Sequence, residues 1–293
     1  MDSGIFVFFL PVILAFMMMG LGLELTIKDF LRVSHYPKAI FIALFCQLII
    51  LVGIAFFICK VLALDPLLSV GVMLLAASPG GPTANLISLI FKGDVALNLT
   101  LTALNSLITT FTLPFIVNLS LLHFLSADTP IGLPVEKIAQ VFLIVFIPVC
   151  IGMFIRHHFP KQARRWNKPM RTLSILFLIA IFIFALARER SNVILYFADV
   201  GIAMGLFCFS SLFIGYLVPH LAGIPERQAR ACTFEIGIHN TAIALTIALS
   251  VLSNTTIAIP AGVYSIFMYL FAMCFGFILT RKESHNLAIQ QAE

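Results

Sequence analysis

The feature that most constrains this chain is a succession of apolar runs, each close to the ~20 residues that a helix needs to cross a bilayer. They fall near residues 5–27, 37–59, 66–91, 94–124, 134–156, 170–187, 193–219, 227–252 and 257–280. Only 11% of the 293 residues are charged, whereas soluble domains average about 25%. The sequence therefore predicts an all-α polytopic membrane protein with nine transmembrane helices and no separate soluble domain.

Lys and Arg residues are shared unevenly between the two sides that these spans define. With the N-terminus outside, the outer side receives only Lys60, Lys137, Arg188 and Arg190 of the 18. Cytoplasmic loops carry such an excess of Lys and Arg. We therefore expect a multi-pass protein of the cell (inner or plasma) membrane, with a cytoplasmic C-terminus. The net charge of +5 is then a topology signal, and no nucleic-acid partner is expected.

Two of the runs contain residues that a simple membrane helix would not have. The third has the sequence SPGGP at 78–82, and the eighth has Glu235, Gly237, His239 and Asn240 at its centre. Two prolines remove backbone donors and two glycines weaken the helix between them. We expect unwound segments here, where freed backbone groups face protein, water or a bound ion. The alternative is a kink used only for packing.

The positions of these two runs suggest an internal repeat. They are five spans apart, so they cross the membrane in opposite directions. Interrupted helices at corresponding positions of two oppositely oriented halves indicate an inverted-repeat transporter with its site near the bilayer midplane. The sequence thus predicts a single transporter unit over residues 1–293.

Glu235 is the most informative single residue, because an acid in a membrane span is costly and indicates function. The alternative is a protonated core acid held by hydrogen bonds. Polar side chains that offer oxygen or amide groups occur on three other runs: Gln47, Asn85, Asn98, Thr102, Asn105 and Ser106. Three of them, at 98, 102 and 105, share one helix face. Each could be interhelical glue, but together they predict a polar cavity suited to a hard cation.

Three stretches carry a resemblance to a known family: GLGLELTIKDF, SPGGPTANLISLIFKGDVALNLTLTALNSL and FEIGIHNTAIAL. Through them the chain, from about residue 10 to 280, resembles the bile acid:sodium symporter family. The resemblance implies a core domain (about 37–124 and 193–280) with two crossed, broken helices. It also implies a panel domain (about 5–27 and 134–187) that rocks against the core in alternating access.

The same resemblance implies binding residues. The first sodium ion would be bound by Asn85, Asn98, Thr102 and Glu235. The second would be bound by Gln47, Glu235, the carbonyls of Ile236 and Ile238, and the side chain of His239. The substrate would face Pro82, Thr83 and Asn240. The chain departs from the family pattern at Pro82, Ala84 and His239, which leaves one or two sodium ions open. His239 can be read as a sodium ligand, a proton site or a structural residue. No organic cofactor is expected.

The function that follows is sodium-coupled symport of an organic anion, either bile acid-like or a small carboxylate such as pantoate or a keto acid. A proton-coupled transporter or an uncoupled facilitator of the same fold is the alternative. An enzyme is not expected, because the sequence has no H-E-x-x-H, no G-x-S-x-G and no paired intramembrane aspartates. The expected partners are the small anion and the lipid bilayer, and the oligomeric state is left open, a monomer included.

Overall fold

The computed structural model describes residues 31–81, 83–125, 135–166 and 193–290, with scattered positions within 12–26 and 169–176. Within these ranges the chain is helical and contains no β-strand. The helices are α1 (Pro37–Val61), α2 (Pro66–Ala76), α3 (Thr83–Ile90), α4 (Val95–Leu125), α5 (Val135–His158), α6 (Val193–Leu221), α7 (Glu226–Gly237), α8 (Thr241–Val251) and α9 (Thr255–Gln290).

Within the part of the chain that the structure describes, four helices are long and apolar enough to cross a membrane. These segments are Pro37–Val61, Val95–Leu125, Ala198–Leu221 and Thr255–Arg281. Each overlaps one of the predicted spans, which confirms that the chain is built from membrane-spanning helices. The predicted spans near 5–27 and 170–187 lie largely outside the described residues, so the count of nine and the inverted repeat stay predictions.

Both expected helix breaks are present. Helix α2 ends at Ala76 and α3 begins at Thr83, while α7 ends at Gly237 and α8 begins at Thr241. At the first break the Ser78 hydroxyl donates to the carbonyl of the preceding turn, and Pro79 has no backbone N–H to continue the helix. At the second, the side chain of Asn240 accepts from the amide of Ile243 and caps α8.

The two breaks are hydrogen-bonded to each other. The amide of Gly81 donates to the carbonyl of Ile238 at 2.6 Å, and the amide of Asn240 donates to the carbonyl of Pro79 at 2.8 Å. Gly80 and His239 form an antiparallel bridge between these bonds. Backbone groups without a partner are costly inside a membrane. Each break therefore supplies hydrogen-bond partners for amides and carbonyls that the other break leaves without helical ones. This pairing brings the first turns of α3 and α8 together.

A buried arginine joins three helices near one end of the bundle. The distribution of Lys and Arg predicts that this end faces the cytoplasm. Arg230, in the second turn of α7, is 1% exposed. Its guanidinium donates to the carbonyl of Phe91 after α3 (3.3 Å), to the carbonyl of Leu279 in α9 (3.2 Å) and to the carboxylate of Glu226 (3.1 Å). A charge at this burial requires such a full set of acceptors. These hydrogen bonds hold α3 and α7 in the relative position in which their breaks can pair.

Residues from the predicted panel segments pack closely. Gly22 and Gly152 of α5 lie face to face, and neither position has room for a Cβ atom. Small residues at such contacts let membrane helices approach closely. The contact supports a shared unit made from the segments near 5–27 and 134–156, while the division into panel and core stays a prediction.

Candidate ion and substrate site

The carboxylate of Glu235 lies deep inside the helix bundle. Its side chain is 2% exposed. It follows Glu226, the first residue of α7, by nine positions, which at 1.5 Å per residue places it about 14 Å along the helix. That distance is about half the thickness of the ~30 Å hydrocarbon core. The helix ends two residues later, so the acid stands beside the break.

Helix α4 supplies the hydrogen bonds to this acid. The Thr102 hydroxyl donates to Oε2 of Glu235 at 2.6 Å, and Nδ2 of Asn98 donates to the same oxygen at 3.1 Å. The other carboxylate oxygen, Oε1, is buried and has no hydrogen-bond partner. A carboxylate oxygen in this state lacks what a buried anion needs, so it is a natural ligand for a cation.

Three amide oxygens near the acid are in the same state. Oδ1 of Asn85, of Asn98 and of Asn105 is buried without a hydrogen-bond partner. The amide nitrogen of Asn85 donates to Thr102 (3.4 Å), and that of Asn98 also reaches the carbonyl of Ala231 (3.2 Å). Buried polar atoms are nearly always partnered in folded proteins. Several unpartnered oxygens around one carboxylate suit a cation that binds through oxygen.

The residues expected at a first ion site are therefore neighbours in the structure. Asn85 comes from α3, Asn98 and Thr102 come from α4, and Glu235 comes from α7. Their hydrogen bonds form a continuous chain from α3 through α4 to α7. Sodium, a hard monovalent cation, fits this set of one carboxylate, one hydroxyl and neutral amide oxygens.

A second polar group lies beside the paired breaks. Nε2 of Gln47 is 3.3 Å from the carbonyl of Ser78 and 3.5 Å from Nδ1 of His239, which is itself 3.4 Å from that carbonyl. Gln47 stands on a π-helical turn of α1, Cys46–Ile50. Such turns often occur at functional sites. Oε1 of Gln47 and Nε2 of His239 are buried without partners.

The backbone carbonyls expected at a second ion site do not have the hydrogen-bond donors that a continuous helix would give them. The amide of Asn240, which would continue α7 by donating to Ile236, donates to Pro79 instead. Ile236 therefore lacks its α-helical donor, in keeping with the expected role of its carbonyl. The carbonyl of Ile238 already accepts from Gly81, so only its second lone pair remains for an ion.

The ring of His239 is fixed by aromatic neighbours. It lies 5.4 Å from the ring centroids of both Phe207 and Tyr264. The Tyr264 hydroxyl donates to the carbonyl of Gly237 at 2.9 Å and so holds the end of α7. With Nδ1 directed at the Ser78 carbonyl, a neutral ring presents Nε2 as its only free lone pair. The geometry keeps all three readings of His239 open.

The expected substrate residues lie where the two half-helices begin. The Thr83 hydroxyl is 3.3 Å from the hydroxyl of Tyr269 in α9, and both side chains reach the surface. Asn240 caps α8 through its oxygen, while its amide nitrogen forms no hydrogen bond with the described residues. Helix N-termini favour anions, so this face suits a carboxylate. Pro82 lies outside the described residues.

One residue of the site was missed by sequence reasoning, and another was named only as part of a polar cavity. Tyr269 lies in an apolar run whose pattern gives no signal for it. Asn105 shares the polar face of α4, but the family resemblance did not assign it as a ligand. In the structure its side chain is buried on the helix face whose other members, Asn98 and Thr102, donate to Glu235.

Comparisons with known proteins show which family and which transporters the chain is similar to. A profile of the Sodium Bile acid symporter family matches residues 11–196. The human ileal sodium/bile acid cotransporter is 28% identical over 288 residues, which covers 94% of this chain and 80% of that protein. A probable chloroplastic sodium/metabolite cotransporter of Arabidopsis thaliana is 25% identical over 249 residues. That match spans 85% of this chain but only 61% of the plant protein. An uncharacterized sodium-dependent transporter of Bacillus subtilis is 24% identical over 262 residues, 88% of this chain and 78% of that protein.

Proposed function

The chain belongs to the sodium bile acid symporter family, which makes it a membrane transporter and not an enzyme, and we propose that it carries a small organic anion together with sodium. The observation that carries this proposal is the half-satisfied carboxylate of Glu235, which has one hydrogen-bonded oxygen and one without a partner. An isolated charge at this depth is costly. A bound sodium ion removes that cost and is itself stabilised by the acid.

Coupling follows from the position of the ion relative to the breaks. The ligands of the first site lie on α3, α4 and α7, so an ion there holds the first break against the second. The same pairing sets the first turns of α3 and α8 side by side, and it is these turns that face the anion. Ion and substrate therefore favour the same geometry, which is the thermodynamic requirement for coupling.

The substrate is proposed to be a monocarboxylate or an amphipathic organic acid, such as a bile acid, pantoate or a keto acid. No Lys or Arg side chain stands beside Thr83, Asn240 or Tyr269 within the described residues. Recognition of the carboxylate then depends on helix N-termini, the Asn240 amide and two hydroxyls. Transport by rocking of the panel against the core, with the C-terminus in the cytoplasm of the cell, completes the proposal.

Uptake into proteoliposomes tests the coupling. Radiolabelled organic acids from this class are offered with an inward sodium gradient, with equal sodium on both sides, or with potassium in place of sodium. We expect accumulation above equilibrium only with the gradient. Equal rates in all three conditions would reject sodium coupling and leave the uncoupled facilitator.

A proton-coupled transporter is favoured by one observation, the buried His239 with an unpartnered Nε2 close to the crossing. Uptake driven by a pH gradient in sodium-free buffer separates the two functions. Sodium coupling predicts no such uptake in the wild-type protein and retention of sodium-driven uptake in His239→Gln. Proton coupling predicts uptake driven by the pH gradient in the wild-type protein and loss of that uptake in His239→Gln.

A further inference from the structure

The polar face of α4 continues beyond the residues expected to bind the ion. Asn105 follows Thr102 by three positions and Asn98 by seven, so the three side chains lie on one helix face. Asn105 is 1% exposed. Its side chain therefore points into the protein, on the same side as the acid.

Two independent features distinguish Asn105 from an ordinary buried asparagine. Its Oδ1 atom has no hydrogen-bond partner, which leaves a buried acceptor unsatisfied, a costly state. Asn98 and Thr102, its neighbours on the same helix face, also both donate to Oε2 of Glu235, whose Oε1 is unpartnered. An unsatisfied oxygen of α4 therefore lies on the helix face that contacts the acid, and the acid itself has an unsatisfied oxygen on α7.

The oxygen of Asn105 gives the first site a ligand that the expected set does not contain. Ala84, next to Asn85 in the first turn of α3, is fully buried and brings no side-chain oxygen. Asn85 is then the one residue of α3 in the expected ligand set of this site, and a further side-chain oxygen for the cation can come from another helix. We propose that Oδ1 of Asn105 is a direct ligand of the cation bound at Glu235, which deepens and rests on the proposed sodium coupling.

A purely supporting role for Asn105 makes a different prediction. If the amide only positions Glu235 by donating to it, then its nitrogen is the group that matters. If the oxygen is the ligand, a carboxylate in its place still serves. The pair Asn105→Leu and Asn105→Asp separates the two, because both variants have nearly the shape of asparagine and only the second keeps oxygens.

The experiment measures the sodium concentration that gives half of the thermal stabilisation of the purified full-length protein, with potassium as the balancing ion. Asn105→Leu is expected to raise this concentration about tenfold, equivalent to about 1.4 kcal/mol. Asn105→Asp is expected to leave it unchanged or to lower it. Lithium is titrated in parallel, because loss of a ligand oxygen changes the ratio of the sodium and lithium constants while loss of a distant support does not.

Matched controls make each outcome informative. Asn118→Leu changes the same residue type on the same helix, away from Glu235, and is expected to keep the wild-type constant. No sodium stabilisation of the wild-type protein would reject the proposed coupling itself. Two outcomes would reject only the ligand role while sodium still stabilises the wild-type protein. One is an unchanged half-stabilising sodium concentration in Asn105→Leu, and the other is an equal rise of that concentration in both Asn105 variants. Should Asn105→Leu fail to fold, Asn105→Asp decides alone. A raised half-stabilising sodium concentration in Asn105→Asp then rejects the ligand role of Asn105.

Discussion

Gly80 and Glu235 fit together without room for a single additional carbon atom. A Cβ atom on Gly80 would overlap Oε1 and the carboxyl carbon of Glu235 and would press on the backbone oxygen of that residue. The glycine belongs to the break between α2 and α3, and the acid stands at the end of α7. The unpartnered oxygen of the acid is thus in direct contact with the unwound segment, so ion binding and helix pairing share one place.

This contact predicts that Gly80→Ala abolishes sodium-driven uptake. The methyl group would displace either the carboxylate or the paired breaks, and overpacking of this kind costs about 1–3 kcal/mol. We expect transport to fall more than tenfold in the proteoliposome assay. Gly53→Ala in α1 is the matched control, since a Cβ there meets nothing within 4 Å. Comparable transport in the two variants would contradict the tight fit.

Glu235→Gln tests the charge of the acid while keeping its size. Thr102 can still donate to the remaining oxygen, so the variant should fold and melt in potassium buffer within a few degrees of the wild-type protein. Without the negative charge the ion loses its strongest ligand, and sodium should no longer raise the melting temperature. Persisting sodium stabilisation would show that the ion binds elsewhere.

Thr102→Val removes the 2.6 Å hydrogen bond to Glu235 with almost no change of shape. Hydrogen bonds to charged groups contribute about 1.5–3 kcal/mol, so we expect roughly a tenfold or larger rise in the half-saturating sodium concentration. Thr102→Ser keeps the hydroxyl and should stay near the wild-type value. The half-saturating concentration is read from sodium-dependent uptake at fixed substrate, and similar values for Val and Ser would exclude the hydroxyl as a contributor.

Arg230→Met should lower stability and leave ion binding intact. Removing the guanidinium leaves the carbonyls of Phe91 and Leu279 without this donor, and a buried acceptor left unsatisfied costs about 1–3 kcal/mol. The melting temperature should fall equally in sodium and potassium buffer. The half-saturating sodium concentration should stay at the wild-type value. Arg227→Met, an exposed neighbour on α7, should melt like the wild-type protein. A shift that appears only in sodium would place Arg230 in the ion site.

The residues that sequence reasoning assigned to the ion sites and that the structure describes do meet, although their roles stay proposals until measured. The expectation was strongest where the signal is local. Two prolines and two glycines in SPGGP interrupt a helix through their own backbone chemistry. Asn98, Thr102 and Asn105 share a face through helical periodicity alone. Neither inference needs a partner segment.

Long-range contacts had no such signal. Asn98 and Glu235 are 137 positions apart, and nothing in either segment states which carboxylate oxygen is bonded and which is not. Tyr269 beside Thr83 is likewise decided by how α9 packs against α3. Arg230 could be placed near the cytoplasmic side from the charge pattern, but its burial against two backbone carbonyls could not.

The sequence by itself determined that this chain is helical and embedded in a membrane, that two of its helices are interrupted, and that an acid lies within one of them. Composition, periodicity and the backbone chemistry of proline and glycine act within one segment, so they can be read from it. Only the tertiary structure decided which buried oxygens lack a partner, that the two breaks pair with each other, and that Gly80 leaves room for Glu235. These depend on the mutual positions of distant helices, which are set by the packing of the whole bundle.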